Sequence, residues 1–191
     1  MNYLCCVCFV WGRNKIYINN EVRELNKILR GKGLRVIPLK KTSRYALIYL
    51  YRPAHLKKDL NDPQALSILK KMGYEPQNPE CCIVKLIRHL KSDEAFPHEI
   101  GLFLGYPPSD VECFMKHPCQ GVKCCGCWKA FSEPEKAQKM FIRFRKCTEA
   151  YHEMNKNGKS LAQLACDSVM ANNAPGEDAL EECWNLGAAL S

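Results

Sequence analysis

The chain has 191 residues, 47% of them hydrophobic and 25% charged, with a formal net charge of +8. That balance belongs to a globular protein long enough to bury a core, and it excludes a disordered or collagen-like chain. No apolar run approaches the roughly 20 residues of a membrane-spanning helix, so no membrane partner is expected.

Tyr3 to Trp11 is apolar, yet no basic residue precedes it and no small-residue cleavage site follows, so no signal peptide is expected. The thirteen cysteines then point to a reducing, cytoplasmic compartment, with thiols free or metal-bound rather than paired. Charge is unevenly spread. Residues 1–60 hold thirteen Lys or Arg against Glu21, Glu24 and Asp59, whereas residues 165–191 hold five acids and no Lys or Arg. The basic first third can attract the acidic tail, or hold an anionic ligand or nucleic acid.

Residues 1–18 have no clear period and read as a divergent or truncated start. They contain one C-x2-C spacing, Cys5 and Cys8. Asn19 or Asn20 caps a predicted helix over 21–30, with Val22, Leu25, Ile28 and Leu29 apolar and Gly31 and Gly33 ending it. Residues 34–39 read as a strand in which Pro38 marks an edge or a bulge. Residues 45–51 are rich in aromatic and branched side chains and read as a central strand. The short connection makes the two an antiparallel hairpin. A short helix follows over 54–60. Asp62-Pro63 starts another, through Ala65, Leu69 and Met72, which Gly73 stops. After a loop over 74–80, a helix over 82–91 carries Ile83, Leu86, Ile87 and Leu90 on one face.

The densest stretch runs from Phe96 to Pro108. Pro97 suits the first position of a helix, Ile100, Phe103 and Leu104 give an apolar stripe, and Gly105 stops it. Ser109 or Asp110 can cap the next helix, whose apolar positions are Val111, Phe114 and Met115. Two short helices would thus meet at a stiff elbow, with His98 and Glu99 in a first turn where unpaired N–H groups favour negative charge. On the functional reading, His98, Glu99 and Tyr106 line a pocket. On the plain reading, Glu99 offsets the helix dipole, His98 packs locally and Tyr106 is core.

Residues 121–131 read as a third strand with a glycine kink. Ser132 to Glu135 fits a capping box. A long helix then runs to about residue 155, striped by Ala137, Met140, Phe141, Phe144, Cys147, Tyr151 and Met154. Residues 165–191 read as a weakly ordered acidic tail, with a weak helix over 177–186. The expected fold is therefore a single α+β domain over 19–164. It has a small, mostly antiparallel sheet of about three strands packed by several helices, with the long helix near the C-terminus.

Cys124 and Cys127 have the spacing of two ligands to one tetrahedral metal, zinc or an iron–sulfur centre. The other ligands would come from Cys5, Cys8, Cys81, Cys82, Cys113, His117 or Cys119. Plain thiols are the alternative, and a dithiol redox pair a further one. Arg52, His98 and Lys129 could converge on a carboxylate or phosphate, or remain solvated rim charges. His98 could also bind haem axially, with Tyr106 beside it. Tyr45, Tyr49 and Tyr51 interleave with the basic first third, as a nucleic-acid face requires, but their alternation in a strand makes them better core residues.

From Glu24 onward the chain resembles a bacterial family, domain of unknown function 3793. The matching pieces are residues 25–36, 46–53 and 57–60, the Phe96–Pro107 stretch, Gly126 to Lys129, and the Cys147 to Tyr151 portion of the long helix. The resemblance implies short cytosolic proteins of anaerobic bacteria, with a weak link to redox or metal biology and no activity to transfer. The family opens with a His-Cys segment and a Pro-Thr-Leu-Ala-Gly run that Met1 to Asn20 lacks. The tail after Leu164 has no counterpart.

Three functions follow as expectations. The first is a cytosolic binding protein for a small anionic or redox-active ligand or a metal, using Arg52, His98, Glu99, Tyr106 and Lys129, with Cys124 and Cys127 as thiolate ligands. The second is an enzyme using His98 and Glu99 as acid–base groups, although adjacent helical residues point about 100° apart. The third, less favoured, is a nucleic-acid-binding module built on the basic first third.

Overall fold

A computed structural model describes residues 6–11, 15–43, 45–92 and 95–158. It forms two compact units, one reaching to Gln120 and one starting at Gly121.

The first unit is built on a three-stranded antiparallel sheet in the order β1-β3-β2. Strand β1 is Cys6–Trp11, β2 is Arg35–Lys41 and β3 is Tyr45–Tyr51. β3 is central, as its Tyr, Leu and Ile content requires, and β2 is an edge. The β2–β3 register slips between Pro38 and Lys40, where proline cannot donate to the ladder. The third strand is not the late segment expected from the sequence. It is β1, paired from Cys6 with Leu50 to Trp11 with Tyr45. An unbroken apolar run has no period-2 signal, which is why the segment read as featureless.

Helix α1, Lys15–Leu29, starts earlier than the caps implied. Its Asn26 amide covers the outer edge of β2. Nδ2 donates to the Val36 carbonyl at 2.6 Å, and Oδ1 accepts from the Val36 N–H at 3.0 Å. An edge strand with both groups of one residue occupied is a poor template for intermolecular pairing.

The described residues of this unit also form a 3-10 turn, Arg30–Lys32, and helices α2 (Pro53–Leu60), α3 (Pro63–Lys71), α4 (Pro79–Lys91), the short α5 (Ile100–Phe103) and α6 (Pro108–Lys116). Asp62 caps α3 by accepting from the N–H groups of Gln64 and Ala65, and Asn78 caps α4 in the same way. The core joins Leu47, Tyr49 and Tyr51, on one face of β3, to Leu56, Leu60, Leu69, Leu86, Leu102 and Phe103. Each such side chain contributes about 1.5–3 kcal/mol of apolar burial. Tyr49 and Tyr51 stack with ring centres 4.8 Å apart. They are buried, so they offer no platform on which nucleic-acid bases could stack.

The elbow differs from expectation at both ends. Pro97, His98 and Glu99 form overlapping turns ahead of α5 rather than its first turn. Helix α6 begins at Pro108, so Pro107, rather than Ser109 or Asp110, holds the N-cap position. Gly105 does stop α5.

Asp59, half-buried on α2, has its pKa raised from 3.8 to about 6 by burial. A raised carboxyl pKa means the folded state holds the proton more tightly. The contribution to stability is therefore present below about pH 4 and is lost as pH rises through 6. Asp59→Asn should stabilise the protein at pH 7, by about 1 kcal/mol after allowance for solvent screening. It should have little effect at pH 4. Urea unfolding at the two pH values checks this.

In the second unit, β4 (Cys124–Cys125) and β5 (Lys129–Ala130) form a small antiparallel hairpin of their own. The expected long third strand is thus a tight hairpin, closed by the Gly126 N–H to the Trp128 carbonyl at 3.0 Å. Helix α7, Pro134–Lys156, is the long helix read from the sequence. No helix among the described residues is long and apolar enough to cross a membrane.

Candidate functional site

The most concentrated buried polar chemistry lies where α3, α4 and the elbow meet. Gly73, at φ 72°, takes the left-handed conformation that ends α3. Its N–H returns to the Lys70 carbonyl, and the Tyr74 N–H returns to that of Leu69. This paired closure needs a residue without Cβ at Gly73, and it turns Tyr74 back against the core.

On α4, His89 follows Lys85 by four residues, so the two share a side of the helix. Both flank the Tyr74 ring. His89 meets it edge-on at 5.3 Å between centres, and the Lys85 ammonium sits 5.2 Å from its centre. Lys85 Nζ also donates to the Gly73 carbonyl at 2.5 Å, tying α4 to the end of α3.

Glu99 supplies the third group. Its side chain is 1% exposed, and one oxygen, Oε1, serves two donors. The Tyr74 hydroxyl donates to it at 2.8 Å, and His89 Nδ1 lies 2.9 Å away. Tyr74 Oη and His89 Nδ1 are themselves 3.1 Å apart, which closes a triangle. With the phenol proton directed at Glu99, Nδ1–H is the donor that completes the set. That tautomer leaves Nε2 with its lone pair. The imidazole is about one-third exposed, whereas the carboxylate behind it is sealed. Burial, and then the hydrogen bond to Glu99, push the Tyr74 pKa well above its ordinary 10.0, so the phenol remains a neutral donor. The arrangement is an imidazole held by a buried carboxylate, with one nitrogen free for a ligand or a proton.

Of the residues singled out from the sequence, Glu99 is in this site, but not as a dipole-compensating surface acid. His98 is exposed, its ring packing on Phe114 at 5.0 Å and Phe96 at 5.8 Å. The partner of Glu99 is thus His89, ten residues back, rather than its neighbour. Tyr106 is half-buried, with its ring 3.2 Å from where a Cβ on Gly101 would stand. Arg52 is buried at the start of α2 and donates through Nη1 to the Lys32 carbonyl at 2.9 Å. Lys129 is half-buried in β5 of the second unit.

Cys124 is half-buried, with its thiol directed at the Pro134 carbonyl at 3.7 Å, and Cys127 is exposed. Among the described residues no group of three or more His, Cys, Asp or Glu is placed to hold a metal. Cys5 and the Cys8 side chain lie outside what the structure describes. Of the described thiols, Cys81, Cys82, Cys113, Cys124, Cys125 and Cys147 are free.

Sequence reasoning missed His89 and Tyr74. One signal was available: His89 sits beside Leu86 and Leu90 on the apolar side of α4, where a polar ring needs a buried partner. Tyr74 directly follows a helix-stopping glycine, a position whose local signals are those of a loop.

No curated protein and no solved structure matches the chain. The model of one family, described as protein of unknown function (DUF3793), matches residues 6–165. The match takes in β1 and the start of α1, which the sequence alone set outside the family, and it runs through α7. With that span covering most of its length, the chain belongs to the DUF3793 family.

Proposed function

We propose that the protein is a cytosolic binding protein for a small anionic ligand, which docks beside the Lys85 ammonium and reaches the outward edge of His89 once Nε2 has taken up a proton. The observation that carries this reading is the buried Glu99 carboxylate fixing a part-exposed imidazole beside Lys85. Glu99 fixes the orientation of the ring, and Lys85 adds a cation one helical turn away. Arg88 and Lys91, in the last turn of α4, add positive charge. The free thiols support a reducing compartment.

A second reading, an acid–base enzyme, is favoured by one specific feature. A carboxylate on Nδ1 also prepares Nε2 to take a proton from a substrate. In that case the pair is His89 and Glu99, which meet across two elements, and not the adjacent His98 and Glu99.

The test uses inorganic phosphate and succinate as probes, with the His89 ring signals followed by NMR and assigned with His89→Gln. The expected result is a saturable shift confined to His89 and its neighbours. Lys85→Gln should weaken binding about tenfold, the worth of one charge-assisted contact. Ring signals that do not move with either anion would sink the binding reading.

A further inference from the structure

Helix α7 carries Lys136, Lys139, Arg143, Arg145 and Lys146 within eleven residues that contain no acid. Lys139, Arg145 and Lys146 are exposed, and among the described residues none of the three is in an ion pair. Ile142, 45% exposed, lies on the same side, three residues from both Lys139 and Arg145. Glu135 and Glu149 bracket the basic stretch. This is a cationic helix face with an exposed apolar residue at its centre.

The same chain contains a sequence segment of opposite character. Glu177, Asp178, Glu181 and Glu182 put four negative charges into six residues, and Leu180 and Trp184 lie four apart among them. From Ala165 to Ser191 there is no Lys or Arg to neutralise them. The segment lies beyond residue 165, where the family match ends.

We infer that the acidic segment Glu177–Glu182 docks on the Lys139–Ile142–Lys146 face of α7 in the same chain. The two surfaces match in charge and in their apolar elements, since Leu180 and Trp184 can cover Ile142. Reach is sufficient. From Lys156 back to Lys139 the helix rises about 26 Å. The residues from 157 to 176 extend to about 70 Å at most. Tethering makes the contact intramolecular, at an effective concentration of order millimolar, so weak charge pairing is enough to populate it. Ion pairs at such an exposed surface are screened by salt, so the contact opens as ionic strength rises. The tail thereby competes with any external polyanion for this face.

Zero-length carbodiimide cross-linking of the full chain at low salt, followed by peptide mapping, tests the contact. Cross-links should join Lys139 or Lys146 to the 177–182 acids within the monomer. They should disappear at 0.5 M salt and in a variant carrying E177Q, D178N, E181Q and E182Q. Tail acids joined to lysines of residues 1–60, cross-links found only between two copies, or no cross-link from α7 would each overturn the inference. Heparin binding supplies an independent readout. The tail-neutralised variant should bind at least threefold more tightly than the parent, and adding Lys139→Gln and Lys146→Gln should remove that gain. A gain that persists undiminished would also overturn it.

Discussion

Glu99→Ala is expected to cost the first unit about 3 kcal/mol, since it leaves a buried phenol and a part-buried imidazole N–H without their shared charged acceptor. The substitution removes the one oxygen that both Tyr74 and His89 use, so a buried phenol and a ring nitrogen lose their shared acceptor. A lost acceptor costs more than a lost hydrogen bond, because the remaining donor keeps its full desolvation penalty. Tyr74→Phe removes only one donor and should cost about 1 kcal/mol. The two changes should not add, since they touch one network, and a double-mutant cycle measures the coupling. For a chain of this size the alanine variant should melt about 6–12 °C lower. A melting temperature within 1 °C of the parent would mean that the triangle does not hold the elbow to α4.

The same network has a pH signature. Because the Tyr74 pKa is raised, the folded state keeps the phenol proton that the unfolded chain releases near its ordinary 10.0. The tyrosine's contribution is therefore complete below pH 10 and declines as pH rises beyond it. Unfolding measured at pH 9, 10 and 11 should show a steeper loss in the parent than in Tyr74→Phe. Parallel curves would contradict the assigned role of the phenol.

Gly126→Ala is the second large effect. A Cβ at this position would collide with Cγ, Cδ2 and Cε2 of the Phe141 ring, closer than any real contact. The colliding atoms belong to the base and side of an aromatic ring, which cannot swing away without leaving Trp128. The Trp128 and Phe141 rings meet edge-on at 4.6 Å, and Phe144 lies 6.5 Å from Trp128. Overpacking of this kind costs about 1–3 kcal/mol. The second unit should lose near-ultraviolet circular dichroism from the displaced tryptophan. The Cys124 thiol should alkylate faster as the hairpin lifts from the start of α7. Phe141→Leu in the same chain should restore part of the stability by making room. Unchanged spectra and thiol reactivity in Gly126→Ala would show that the hairpin does not rest on α7.

These two sites also separate what was legible in one dimension from what was not. Local signals placed α2, α3, α4 and α7, because capping residues, prolines and apolar stripes act within a few residues of where they are written. Asp62 and Gly73 bound α3 as their chemistry requires, and Pro38 marks the irregular edge strand. The α+β class, the antiparallel pairing of β2 with β3 and the central place of β3 followed from the same local rules. β1 escaped because an unbroken apolar run carries no period, and only pairing with β3 makes it a strand. The late hairpin was overread as a long strand, since nothing local reports that Gly126 lies under a phenylalanine fifteen residues away.

The sequence by itself determined most of the helices and the class of fold, each of which depends on neighbours along the chain. Only the tertiary structure decided that Glu99 serves Tyr74 and His89 rather than His98. Adjacent side chains diverge in the turns before α5, while α3, α4 and the elbow converge. A hydrogen bond is made between groups close in space, and distance in space is the quantity that a string of residues does not contain.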